Sequence, residues 1–311
     1  MTGKFGTASG GITIFTSHRQ SSSAASTQAF DTTAYVSHDS FTRWAGQRAQ
    51  IENRTTLGGT VRKVWTGNIG NALPIELLIG GDYRTDLVDA TQYPSADQHQ
   101  IGGDVVGLAY AAHGVGAFSQ IQVKPLDWLK LTVGSRYDHF FYDVHNHLDS
   151  VNSPAINSGV WSPKVGIAVT PIKGVELYAN YGEGFGSPSV VDDLLSNPAL
   201  QPMKLVSKEV GIHITALPRT SLLVDAWTTD IANESFQAAP GLPEQNIGRS
   251  RRSGYDVEAR YRLRSGEASA ISLFSNLGIV SAHLIDQGPA AIYVPYPSDR
   301  LSEFAVNFGP L

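Results

Sequence analysis

His145 and His147 lie two residues apart, and Asp149 follows two further on. Imidazoles beside a carboxylate can bind borderline metal ions or contact a ferric chelate. Their polar surroundings place them in a loop, where the plainer alternative is a solvated segment. A second group is basic: Arg249, Arg251 and Arg252 suit an anionic ligand or a phosphate, or simply form a rim of charge. A third group mixes signs. Glu176, Glu209, Asp256, Glu258, Arg260 and Arg262 fall on alternate residues of three segments, which would line them up on one face of a sheet. Gly182-x-Gly184-x-Gly186 lacks the spacing of a phosphate-binding loop. No nucleophile elbow, His-Glu-x-x-His or Walker sequence occurs, so nothing points to an enzyme or to a bound cofactor.

The composition narrows the field. The 311 residues include 41% hydrophobic and only 16% charged residues, against about 25% charged in a typical soluble domain. A net charge of -5 offers no electrostatic footprint for nucleic acid. With no cysteine, disulfide frameworks and thiolate metal sites are excluded. No apolar run approaches the ~20 residues of a membrane helix; Leu73 to Ile79 is interrupted by Pro74 and Glu76. The first residues lead into no signal-peptide core.

The elements that must position these charges follow a period of two. Tyr255, Val257, Ala259, Tyr261 and Leu263 alternate with Asp256, Glu258, Arg260 and Arg262, as in a strand whose faces meet different surroundings. The same contrast runs through Val175 to Tyr181, Val210 to Ala216 and Ile75 to Tyr83. The apolar face carries small residues and a Tyr near the strand end, while the other face mixes charge, Gly and amide. A barrel with lipid outside and a wet or plugged interior has this signature. Trp128, Trp161, Trp227, Tyr181, Tyr255 and Tyr261 are the expected interfacial girdle.

Turn signals centre near residues 126, 172, 218 and 266, about 46 to 48 residues apart, and long polar segments fall between them, the rhythm of an outer-membrane barrel with short turns on one rim and long loops on the other. The long segments are expected at 86–112, 144–159, 186–205, 232–250 and 284–298. This scheme gives about 13 strands, clearest over 75–283, and the reading is of one partial barrel domain over 1–311.

Within this pattern, Tyr181-Gly182-Glu183-Gly184-Phe185-Gly186-Ser187-Pro188, then Asn197-Pro198-Ala199-Leu200-Gln201-Pro202 and Ser207-Lys208-Glu209-Val210-Gly211, resemble TonB-dependent outer-membrane receptors. Asn246-Ile247-Gly248-Arg249 through Gly254-Tyr255-Asp256-Val257-Glu258 is similar to that family's asparagine–glycine, arginine and glycine–x–glutamate strand. The likeness covers residues 115–300. Gly186 stands where many members carry arginine, and Met203 where an acidic residue is common.

The resemblance implies an all-β fold: an antiparallel transmembrane barrel of the 22-stranded plugged type, of which this chain is a fragment lacking signal peptide, plug and final strands. It implies active uptake of a scarce solute, most often a ferric siderophore, across the bacterial outer membrane. The expected partners are the TonB energy-coupling complex, acting through the plug, outer-membrane lipid and lipopolysaccharide, and a small-molecule ligand. His145, His147, Asp149, Arg249 and Arg251 become expected ligand contacts in extracellular loops. Glu176, Glu209, Asp256, Glu258, Arg260 and Arg262 become the lumen wall facing the plug. A passive porin-like channel and a soluble all-β binding protein are the alternatives.

Overall fold

The computed structural model describes residues 6–22, 27–45, 47–70, 73–148, 155–186, 203–236, 245–266, 269–285 and 300–309. Its elements are β1 (Gly6–Ser22), β2 (Thr27–Ala45), β3 (Arg48–Ile69), β4 (Leu73–Ala96), β5 (His99–Gln100), β6 (Val106–Leu126), β7 (Leu129–Asn146), β8 (Ala155–Ile172), β9 (Val175–Gly186), β10 (Met203–Ile214), β11 (Thr220–Phe236), β12 (Gln245–Gly266), β13 (Ser269–Leu284) and β14 (Arg300–Gly309). All lie in one 14-stranded sheet, in which each long strand pairs with the next in chain order and the two-residue β5 pairs only with β4. The ladders are antiparallel throughout. The expected all-β antiparallel architecture is present, with thirteen long strands.

Short connections gather at one edge of this sheet. Leu126 pairs with Leu129, and Ile172 with Val175. Gly174 has φ +82°, a conformation that side chains disfavour. Its carbonyl accepts hydrogen bonds from the Thr215 and Ala216 amides at 2.7 and 3.0 Å. A Cβ there would lie 2.7 Å from the Ala216 nitrogen, so glycine lets the β8–β9 turn dock against the β10–β11 turn.

At the opposite edge the strands run further than expected. Residues 86–112 form no single long loop: β4 continues to Ala96 and β6 begins at Val106. Both faces of this extension carry mixed side chains, such as Leu87 and Asp89 on one and Asp86 and Val88 on the other. The apolar–polar contrast therefore vanishes, while ladders to β3 and β6 keep the strand extended. Ala45 pairs with Arg48, so β2 and β3 join through the tightest connection at this edge.

Register separates two faces. On one, Ile75 to Tyr83, Leu129 to Tyr137, Trp161 to Val169 and Tyr255 to Leu263 form an apolar band about nine residues tall, the length of a tilted membrane strand. Large side chains in it are open: Trp161 is 67% exposed, Val210 57% and Tyr255 65%. A contiguous apolar surface of this kind marks a face made for a nonaqueous partner. Tyr83, Tyr137, Trp161 and Tyr255 line its long-loop margin, and Trp128, Tyr261 and Leu263 its short-turn margin. Trp227 departs from the expected girdle. It pairs with Gly254 on the polar face, and its Nε1 donates to Asp256 at 2.6 Å; its phase in β11 sets this against its aromatic character.

Candidate functional site: the charged face of the sheet

Glu176, Glu209, Asp256, Glu258, Arg260 and Arg262 all share the face opposite the apolar band. Glu176 pairs with His213 and Asn180 with Glu209; Glu209 pairs with Trp227, and Asp256 with Asp225. Most of these charges are held. Lys130 lies 3.6 Å from Glu176, Tyr178 donates to Glu209 at 2.8 Å, and Arg260 meets Glu258 at 2.8 Å. Further toward the long-loop edge, Arg252 pairs with Glu234 at 2.5 Å, and the Ser250 hydroxyl donates to the same carboxylate.

Across β4, β6 and β7 the wall is locked by one guanidinium. Arg136 donates to Asp82 at 2.7 and 2.9 Å and to Asp138 at 2.7 and 2.5 Å. Asp82 is on β4 and Asp138 on β7; Gly116 of β6 pairs with both. A Cβ at Gly116 would come within 2.3 Å of the Arg136 Nη2. Glycine thus opens the path across β6. Arg136 also sits over the Phe118 ring, 5.6 Å from its centroid.

Past the end of the apolar band, the same face carries a second network. Arg54 meets Glu52 at 2.7 Å and Asp86 at 3.9 Å. Thr56 donates to Asp86 at 2.6 Å, and Arg84 at 2.8 and 2.9 Å. Burial opposes the charge on Asp86, but the hydrogen bonds from Arg84 and Thr56 outweigh it and hold the carboxyl below its ordinary range. Beside it, Val88, Ala90, Leu108, Tyr110 and Val144 form a buried apolar cluster. Burial pushes the Tyr110 phenol up to about 12, so it stays a neutral donor and acceptor. A charged wall with an apolar patch near its long-loop edge can bind an amphiphilic solute.

The expected ligand contacts are not brought together. His145 lies in β7, in phase with Leu131 and Tyr137 on the apolar side, rather than in a loop. His147 follows just past the strand end, its ring centroid 5.0 Å from that of His145. Asp149 falls outside the described residues. Arg249 and Arg251 lie within β12 in phase with Tyr255, and Arg251 pairs with Asp230 at 2.5 and 2.8 Å. β7 and β12 are separated by four strands in the sheet. Among the described residues no three His, Cys, Asp or Glu are placed to hold a metal.

Arg54, Asp86, Tyr110, Glu234 and Asp138 were not anticipated. A signal exists for most of them. Glu52-x-Arg54, Arg84-x-Asp86, Arg136-x-Asp138 and Glu258-x-Arg260 are opposite charges two residues apart, and all four form ion pairs. In a strand that spacing puts both groups on one face.

The sequence profile of the family described as TonB dependent receptor-like, beta-barrel matches residues 4–309. No curated protein matches the chain. Among solved structures, the unliganded ferric citrate transporter FecA superposes with a TM-score of 0.75 at 14% identity, covering 96% of this chain and 47% of that one. The ferric yersiniabactin uptake receptor FyuA from Yersinia pestis gives 0.68 at 12%, over 97% and 47%. The ferripyoverdine receptor of the Pseudomonas aeruginosa outer membrane gives 0.68 at 16%, over 95% and 43%. The chain spans about half the length of these proteins, and at such identities the likeness is one of fold.

Proposed function

The chain belongs to the TonB dependent receptor-like β-barrel family, and we propose that it forms part of the wall of an outer-membrane transporter that takes up a ferric chelate. The family is one of receptors, not enzymes. The observation that carries the proposal is the division of faces: an exposed apolar band about nine residues tall, backed by a continuous charged wall. The band meets lipid; the wall lines the lumen. The ferric ligands named for three structural neighbours support the class of cargo.

In this reading the chain does no covalent chemistry. The wall holds a plug domain belonging to the whole protein, and TonB, driven from the inner membrane, displaces that plug once solute has bound at the long-loop edge. Residues 1–311 are one partial barrel domain. His147 and Asp149, which follow β7 in the sequence, are one place where solute is met in this reading.

Uptake of radiolabelled ferric citrate and ferric catecholate by iron-starved cells carrying the full-length protein tests this. Active transport is abolished by a protonophore and by deletion of TonB. Uptake that persists in both makes the protein a passive channel.

A further inference from the structure

The short-turn end of the charged face carries a cavity with no role in the reading above. A cavity of about 750 Å³ opens between the β10–β11 turn and strands β11 to β13, a size typical of ligand pockets. Arg219, Arg260 and Arg262 line it together with Ser221, Ser272 and Phe274. Arg219 sits in the turn with φ 61°, and its carbonyl accepts the Arg262 amide at 2.8 Å. Backbone geometry therefore ties two of the three arginines to one another. The third, Arg260, lies over the Phe274 ring with its guanidinium carbon 5.2 Å from the centroid, and its Nε meets Glu258 at 2.8 Å.

Among the described residues the one carboxylate in ion contact with the three guanidiniums is Glu258, on Arg260 at 2.8 Å. Elsewhere on the same face Arg136 meets two carboxylates, and so does Arg54. Guanidiniums that line one cavity together with serine hydroxyls can recognise oxyanions. The lining also presents apolar surface, from Phe274 and Leu217, which a bare inorganic anion leaves unused. A ligand with a hydrocarbon stem and a carboxylate tip uses both.

We propose that this cavity binds an acidic peptide segment, through carboxylates held by Arg219, Arg260 and Arg262. It lies at the opposite edge from the long loops, so it is distinct from the place where solute arrives, and it depends on no particular solute being carried.

The test is fluorescence anisotropy of a labelled hexaglutamate peptide with the full-length protein in maltoside micelles. Hexaglutamate binds, a hexaserine peptide does not, and binding weakens as salt is raised. Replacing the arginines together (Arg219→Gln, Arg260→Gln, Arg262→Gln) weakens it about tenfold or more, whereas Arg62→Gln, on β3 of the same face and paired with Asp31, leaves it unchanged. Ser272→Trp fills the cavity without removing charge and blocks binding as well; circular dichroism confirms that each variant keeps its sheet. Equal affinity in the triple variant, or in Ser272→Trp, overturns the proposal. So does saturation by inorganic phosphate with no binding of hexaglutamate, which would make this a small-oxyanion site.

Discussion

Arg136 of β7 holds Asp82 of β4 across the full width of β6, at 2.7 and 2.9 Å, because Gly116 beneath the guanidinium has no side chain. One ion pair thus joins three strands, and it does so through a backbone position that carries no charge.

Gly116→Val should undo this clamp as effectively as removing the arginine. The new side chain overlaps Arg136 and Asp82, an overpacking cost of about 1–3 kcal/mol. Arg136→Gln strands Asp138, whose side chain is 5% exposed. The arginine itself is 35% exposed, so solvent screening keeps the loss near 2 kcal/mol, below the full cost of breaking a buried pair. Urea unfolding in micelles measures both. The double variant should cost clearly less than the sum of the singles, since the two act on one contact.

Five cross-strand pairs set an aromatic ring over a glycine on the charged face: Tyr35 on Gly58, Phe118 on Gly80, Phe140 on Gly114, Tyr178 on Gly211 and Trp227 on Gly254. At Gly254 a Cβ would stand 2.5 Å from the Ile279 carbonyl oxygen and 2.8 Å from the Trp227 ring. Gly254→Ala should therefore destabilise by about 1–3 kcal/mol. Gly184, which has nothing within 4 Å of its Cβ position, should accept alanine with no loss. Thermal unfolding of the two variants side by side distinguishes a ring that needs its glycine from a strand that merely tolerates one.

The height of the apolar band can be measured with arginine. Val257→Arg, mid-band, should cost about 2–4 kcal/mol in a bilayer, and Leu87→Arg, on the same face beyond Tyr83, about 0–1 kcal/mol. Single cysteines report the faces directly. Those at Tyr255, Val257 and Leu263 should react with a lipid-soluble maleimide, and those at Glu258 and Arg260 with an impermeant one. The reverse pattern on β12 would sink the assignment of that strand.

Acid should loosen the extension beyond the band. The folded Asp86 carboxyl lies below its ordinary value, so its contribution is complete above that value and is lost as pH falls through the lower, folded one. Asp86→Asn should be less stable than the parent at neutral pH, and the gap should close as the solution is acidified. A gap that stays constant would show that Asp86 carries no net advantage from Arg84 and Thr56.

Alternation made the faces legible wherever lipid and water oppose each other, as at Tyr255 to Leu263, where every second residue fell on the expected side. It failed from Asp86 to Ala112, because there both faces of the strands carry mixed residues and only the ladders to β3 and β6 keep them extended. His145 and Arg251 looked like loop ligands for the same reason: polar residues at a strand end read as loop. Trp227 misled in another way. Its type suits an interface, but its phase and the facing Gly254 put it inside. What was legible and passed over is the two-residue spacing of opposite charges, which names four ion pairs of the wall but not those that cross strands, such as Arg136 with Asp82.

The Gly174 carbonyl, shared by two amides of the neighbouring turn, has a mechanical consequence. Peeling the β8–β9 hairpin from the sheet edge must also rupture its hold on β10–β11, so load on one hairpin is borne by both. Pulled from its short-turn rim, this stretch of wall should come away in a four-strand step rather than hairpin by hairpin.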